Sequence, residues 1–410
     1  MDISNIVYGF DSGPCSSFDL LEFPYTEEPV WILGEKYSVI HELDELRSDF
    51  RSKIWITYRK GFSPIGGTGP TTDNGWGCML RCGQMVVAQA LIYKHLGRNW
   101  RWKCDSNNEE HNLLYFRILS LFLDKKNCSY SIHQIAQMGA SEGKPVGQWF
   151  GPNTIAQALK KLSIYDHWND LAIHVALDNV IIIDDIKQLC KSKKQNGELS
   201  DNWKSLLLFI PLRLGLTEIN PIYFNSLKAV FKFKQSLGII GGRPNHALYF
   251  VGAVESQLLY LDPHTTQTVI DYEEFSTKKT FDDSSYHQET ASRMDITQLD
   301  PSIALCFFCH NEADFDNWCS LASKVLVNAE KQPLFEIAKE KPKHWLPVVS
   351  SACDKGDSYS SIADYDLATA GVSSPIVSPQ EMTYKDTFAV LEDKKINKDT
   401  DSDEEFELLG

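Results

Sequence analysis

Three patterns of apolar and polar positions divide this chain of 410 residues. The first has the mix expected of helices. Leu80–Gly97, LRCGQMVVAQALIYKHLG, is rich in helix formers and closes on Lys94-His95-Leu96-Gly97, a basic last turn followed by a glycine stop. NTIAQALKKLS, residues 153–163, predicts a shorter helix with Asn153 or Thr154 near its cap. The second pattern is the unbroken apolar run of strand length, in SLLLFIPLRLG (205–215) and SIALCFFCHN (302–311). HALYFVGAVESQLLYLDPHT, residues 246–265, predicts two strands joined by a turn. The third pattern is a lack of periodicity. Residues 351–405 are rich in Ser, Asp and Lys, which predicts a disordered tail, and the folded body should end near KPKHWLPVV. An early helix followed by adjacent strands predicts an α+β domain.

The stretch TTDNGWGCMLRCGQM, Thr71–Met85, adds candidate chemistry. Asp73-Asn74-Gly75-Trp76-Gly77 reads as a turn, and Cys78 then falls where the predicted helix begins. A helix start supplies partial positive charge and free N–H groups. Both lower a thiol's pKa, and the N–H groups can hold an oxyanion beside an attacked carbonyl. Cys78 therefore suits thiol acyl transfer, although most cysteines are simply small buried hydrophobes. Cys82, one turn on, reads as a packed neighbour of the same face.

A catalytic thiol needs a histidine and a group to orient it. His246 leads a predicted strand in PNHALYFVG, which resembles the histidine segment of papain-like proteases. His264 follows a strand in LYLDPHTTQ, with Asp262 two residues before it and Pro263 fixing the backbone between them. On the residues alone both histidines stay open.

Composition limits the other readings. Hydrophobic residues make up 43% and aromatics 11%, the mix of a globular protein. A run of about 18 apolar residues, the length of a membrane span, does not occur. The beginning, MDISNIVYGF, lacks the basic region of a signal peptide. Ten cysteines without an export signal suggest the cytoplasm, with reduced thiols. The net charge of −15 argues against nucleic acid; from Ser351 to Gly410, 14 acids against 5 lysines hold −9 of it. Cys306-Phe-Phe-Cys309-His310 has the literal form of a haem-attachment site, but it lies in an apolar strand, and no second ligand pair suggests zinc. Neither metal nor cofactor is expected. Gly66-Gly67-Thr68-Gly69 lacks the rest of a phosphate loop.

EPVWILGEKY, TYRKGFSPIGGTGPTTDNGWGCMLRCGQM, GQWFGPNTIAQALKKL and LYLDPHTTQT, in that order from Glu28 to Thr268, together resemble the autophagins. These are cysteine proteases that act on a ubiquitin-like autophagy modifier. The resemblance implies a papain-like fold with a small auxiliary subdomain, expected over residues 26–345 between a flexible segment over 1–25 and a disordered acidic tail over 346–410. It implies Cys78 as nucleophile, His264 as base, Asp262 as orienter and Tyr58 as a helper at the oxyanion hole. Trp149 would cover the cleft. The loop GGRPNHA, with Pro244 and Asn245, would be a flap over it, which moves His246 out of the triad. The implied partner is a modifier of the light-chain or GABARAP type, both free and joined to phosphatidylethanolamine. The implied reaction is hydrolysis after its C-terminal glycine by a monomeric enzyme with no integral membrane segment. A catalytically weak modifier-binding adaptor is the alternative. Phe406 and Leu409, behind a run of acids, fit a motif for binding the modifier by strand addition, and Phe18–Leu21 repeats the spacing with weaker acidic flanks.

Overall fold

The computed structural model describes residues 22–102, 108–176, 178–193, 199–270, 282–328 and 332–341. Its centre is a nine-stranded sheet made of β1 (Val30–Ile32), β2 (Glu35–Tyr37), β3 (Leu171–Val175), β4 (Ser205–Arg213), β5 (Ser236–Arg243), β6 (His246–Val254), β7 (Gln257–Leu261), β8 (Ser292–Asp295) and β9 (Ser302–Cys309). The main path runs β8-β7-β6-β5-β9-β4-β3, with β1 on the far end of β6 and β2 on β1. All pairings are antiparallel except β3 with β4. The two predicted strands of residues 246–265 are β6 and β7.

The unbroken apolar runs have a simple cause. Strand side chains alternate between faces, and both faces of this sheet are covered. In β9, Ala304, Cys306 and Phe308 join one buried cluster, while Ile303, Leu305, Phe307 and Cys309 join the other. The described residues contain eight α-helices. On the first face pack α1 (Leu43–Arg51), α2 (Cys78–His95), α3 (Glu109–Ser120), α4 (Ile132–Met138) and α5 (Pro152–Leu162). On the second pack α6 (Ile183–Cys190), α7 (Phe224–Val230) and α8 (Glu312–Ala322), with Trp318 fully buried. Beside α6, Val180–Ile182 pairs with Glu336–Ala338, and Lys191–Lys193 pairs with Leu199–Trp203, forming a small adjunct to the main sheet. The protein is α+β, as the sequence pattern predicts.

Helix α2 is the element that matters for chemistry. Every residue from Cys78 to Tyr93 is buried, so it is a core helix rather than a surface one. It approaches α5 closely at Gly83, where a Cβ would come within 2.4 Å of Ile155. It ends as its sequence predicts, with Gly97 at φ +83 and the Gly97 N–H donating to Ile92 O. Helix α5 departs from expectation at its start. Gly151 is the cap and Pro152 the first helical residue, so Asn153 and Thr154 lie inside the first turn. Proline's fixed φ and missing N–H suit that position better than a side-chain cap does.

Candidate active site

The turn 73–77 delivers Cys78. The Asp73 carbonyl accepts from the N–H groups of Trp76 and Gly77 at 3.2 and 2.8 Å, and Gly75 takes φ +85. Gly77, the N-cap of α2, has no room for a side chain, since a Cβ would lie 2.3 Å from Asp73 Oδ2. No side chain caps the helix. Its first N–H groups are therefore free to act as donors beside the thiol.

The loop after β7 supplies the other half. Asp262 Oδ1 accepts from His264 N at 3.0 Å and meets His264 Nδ1 at 2.6 Å. The loop is held from three directions. Trp55 Nε1 donates to Asp262 O at 2.6 Å, Asp262 N donates to Gln288 Oε1 at 3.1 Å, and Tyr58 N donates to Pro263 O at 2.9 Å. The Tyr58 ring stands edge-on to His264, centroids 5.4 Å apart. His264 Nε2 is buried with no partner of ordinary hydrogen-bond geometry. The Cys78 sulfur is nonetheless close enough to raise the imidazole's basicity. Such contacts commonly tighten only when substrate is bound.

The electrostatics follow from this packing. Burial pushes the Cys78 thiol up, but the nearby His264 ring, the Ala247 backbone and Tyr58 more than offset it, and the net shift is downward. Burial would lower His264; its bond to Asp262 and the nearby Cys78 sulfur, with their charges, raise it to about 9. Burial would raise Asp262, and the bonds from His264 bring it below the usual carboxylate range. Tyr58 is pushed up by burial and by the sulfur's charge, so its hydroxyl keeps its proton and stays a donor. The direction of every shift favours a thiolate–imidazolium pair beside a neutral phenol.

A family model described as the Peptidase C54 catalytic domain matches residues 43–321. The chain belongs to the peptidase C54 family. It is 50% identical over 350 residues to the protein named Cysteine protease ATG4A of Gallus gallus, covering 80% of this chain and 90% of that one. The human protein of the same name is 49% identical over 355 residues, covering 81% and 87%. The Gallus gallus protein named Cysteine protease ATG4B is 49% identical over 353 residues, covering 80% and 88%. The chain is a cysteine peptidase.

In this C54 peptidase the two histidines left open by the residues are in contact. Their rings stack with centroids 3.5 Å apart and planes 5° from parallel. Only His264 carries the short carboxylate bond; His246 Nε2 is 4.0 Å from Asp262 Oδ2, and its pKa is lowered by burial and by His264. Among the described residues, His246, Asp262 and His264 form the one group whose ligand atoms lie close enough for a metal ion. Parallel stacked rings point their in-plane lone pairs side by side, not at a common point, which disfavours a shared ion.

The expected flap is the hairpin between β5 and β6. Arg243 and His246 pair, leaving Pro244 and Asn245 as a two-residue tip, with Asn245 at φ +60. A small cleft beside it is lined by Met79, Trp149, Gly241, Gly242, Arg243, Asn245, Asp300 and Ser302. Pro244 is exposed at the tip and does not line the cleft. Cys306 and Cys309 point into opposite core clusters, so the haem-like spelling brings no two ligands together. Cys82 is wholly buried, and its thiol is pushed well up by burial and by Cys78. Phe406, Leu409 and Phe18–Leu21 lie outside the described residues.

Several supporting residues were not legible in the sequence. Trp55 and Gln288 hold Asp262 from 207 and 26 positions away, and nothing in their local sequence marks them. Asp73 reads only as a turn former, although its carboxylate organises the start of α2.

Proposed function

We propose that this peptidase hydrolyses the bond after the C-terminal glycine of a ubiquitin-like autophagy modifier of the light-chain or GABARAP type. It trims the precursor and also releases the modifier from phosphatidylethanolamine. The observation that carries the catalytic reading is His264, held at 2.6 Å by Asp262 on one ring nitrogen and turned toward the Cys78 sulfur with the other. Cys78 thiolate attacks the glycine carbonyl. The Cys78 N–H and the Tyr58 hydroxyl hold the oxyanion. The imidazolium of His264 gives its proton to the leaving amine, which belongs either to the next residue or to the lipid headgroup. Water, activated by the neutral imidazole, then hydrolyses the thioester and regenerates the thiol.

The narrow cleft between Trp149 and the Asn245 tip supports glycine selectivity, because a chain without side chains is the thinnest that peptide chemistry offers. The substrate's identity rests on the relatives' kinship and on the sequence motifs. We place the enzyme in the cytoplasm as a monomer, with residues 346–410 as a tail that docks the modifier through Phe406 and Leu409. Among the described residues no helix is long and apolar enough to cross a membrane. Incubating the full chain with a modifier that carries a C-terminal extension, and with the same modifier conjugated to phosphatidylethanolamine in vesicles, tests both activities. Products ending at the glycine are expected in each case. Binding without cleavage would instead establish the adaptor reading.

A further inference from the structure

Arg81 lies one turn beyond Cys78, and its guanidinium is completely buried. Nε and Nη2 donate to the two oxygens of Asp73 at 2.8 and 3.0 Å, and Nη1 donates to Asp124 and Gln84 at 2.8 and 3.1 Å. Asp73 Oδ1 also accepts the Arg59 N–H at 2.7 Å. The same carboxylate lies so close under Gly77 that no Cβ fits between them. One side chain thus touches the segment holding Tyr58, the residue before the nucleophile and the first turns of α2. The connection continues to the base, because Tyr58 N donates to Pro263 O and Gln267 N to Tyr58 O, at 2.9 and 3.0 Å. A chain of direct contacts runs Arg81–Asp73–Arg59–Tyr58–Pro263–His264.

The pair also matters electrically. An unpartnered carboxylate beside the start of α2 would oppose the positive end of the helix dipole and favour the neutral thiol. The field of Asp73 reaches the site, since it is among the charges that raise Tyr58. Arg81 supplies the compensating charge from within the same helix.

We propose that Arg81 and Asp73 are positioning residues for the peptidase reaction: the pair sets the first turn of α2 against the Tyr58 segment and shields the Cys78 thiol from a buried negative charge. The inference rests on the reading of Cys78 as nucleophile. If the pair served stability alone, its loss would lower melting temperature without changing how Cys78 ionises.

The experiment compares the full chain with Arg81→Met, Arg81→Lys, Asp73→Asn and the double variant Asp73→Asn/Arg81→Met. Melting temperature, kcat and KM on the extended modifier, and the pH dependence of Cys78 alkylation by iodoacetamide are measured for each. His264, Tyr58 and Cys82 face the thiol, and Arg59, Asp124, Tyr286 and His133 face the ion pair. These groups are the same in every variant, so differences report the pair. Arg81→Met should lower kcat at least about tenfold with KM changed less than about threefold, and should move the alkylation midpoint up by about one pH unit. Arg81→Lys should keep the midpoint and lose part of kcat, because it keeps the charge but not the fork. The double variant should restore the midpoint but not kcat. An unmoved midpoint in Arg81→Met, with kcat falling only in step with the unfolded fraction, would overturn the proposal. Where Arg81→Met does not fold, Asp73→Asn decides alone: it should move the midpoint down, and no movement refutes the electrical role. Cys78→Ala is run in parallel. Cleavage surviving in that variant would remove the nucleophile reading, while the alkylation midpoints would still show whether the pair acts on the thiol.

Discussion

The floor around Cys78 and the rim of the cleft lined by Met79 and Trp149 are built on opposite terms. On the floor, Cys78 and Tyr58 are 1% and 3% exposed, and Asp73 and Arg81 beneath them are fully buried. On the rim, Trp149 is 39% exposed, Pro244 and Asn245 are exposed, and His246 is half-buried. The floor is fixed by the whole length of a core helix and by the Arg81–Asp73 pair, whose polar atoms all have partners. The rim is a two-residue tip. Proline at its first position cannot take the positive φ that type I′ and II′ turns need, so the tip lacks the twist best suited to a tight hairpin. The difference separates two demands. Proton transfer and attack need atoms held within a fraction of an ångström, whereas a polypeptide must still enter and leave. The buried floor suits the first demand and the exposed two-residue tip suits the second.

The largest expected effect attacks the floor. Cys78→Ala and His264→Ala should each remove cleavage by roughly four or more orders of magnitude, because a nucleophile and its base act as a unit, while melting curves stay cooperative. Asp262→Asn should cost nearly as much through loss of imidazole orientation. His246→Ala, on the rim, should keep orders of magnitude more activity than His264→Ala; the reverse order would exchange the two histidines' roles. Trp149→Ala and Asn245→Ala come next. They should lower kcat/KM about tenfold for the modifier and admit a residue larger than glycine at the cleavage site, read from products by mass spectrometry.

The pH profile sharpens the same contrast. His264, raised to about 9, holds its proton through neutral pH and loses it as pH rises past that value. Cys78, lowered, is already ionised where an ordinary thiol is not. Both shifts widen the window of the thiolate–imidazolium pair. kcat/KM should therefore form a bell whose alkaline limb falls near 9 and whose acid limb lies below the ordinary cysteine range. An alkaline limb near 6.5, the ordinary histidine value, would mean that the Asp262 bond does not form in solution. Thiol labelling is a smaller probe of the same asymmetry. Iodoacetamide at neutral pH should modify Cys78 first and spare Cys82, Cys306 and Cys309, whose thiols burial raises. The smallest effect belongs to the tail. Phe406→Ala with Leu409→Ala should weaken modifier binding and slow release of the lipid-linked form several-fold, with Cys78 labelling unchanged; tail-peptide calorimetry should show salt-sensitive binding.

Much of the fold was legible because its signals are local. The strand runs of 205–215 and 302–311, the two strands of 246–265 and the glycine stop at Gly97 all stand where apolar pattern and turn chemistry set them. The cap of α5 falls at Gly151, two residues before Asn153 and three before Thr154, because Pro152 at the first helical position outweighs their capping tendency. Strand period explains why CxxCH is empty of meaning here: residues three apart on a strand face opposite ways.

By itself, then, the sequence determined the α+β class, the thiol at a helix start and the Asp-Pro-His turn, each written within a few adjacent residues. Only the tertiary structure showed which histidine carries the short carboxylate bond. His246 and His264 are 18 positions apart and stacked, and the choice between them lies in a 2.6 Å bond to Asp262 that Trp55 and Gln288 hold from distant parts of the chain. The buried pairing of Arg81 with Asp73 and Asp124 was equally silent, since a charge becomes worth reading only once water is taken away from it.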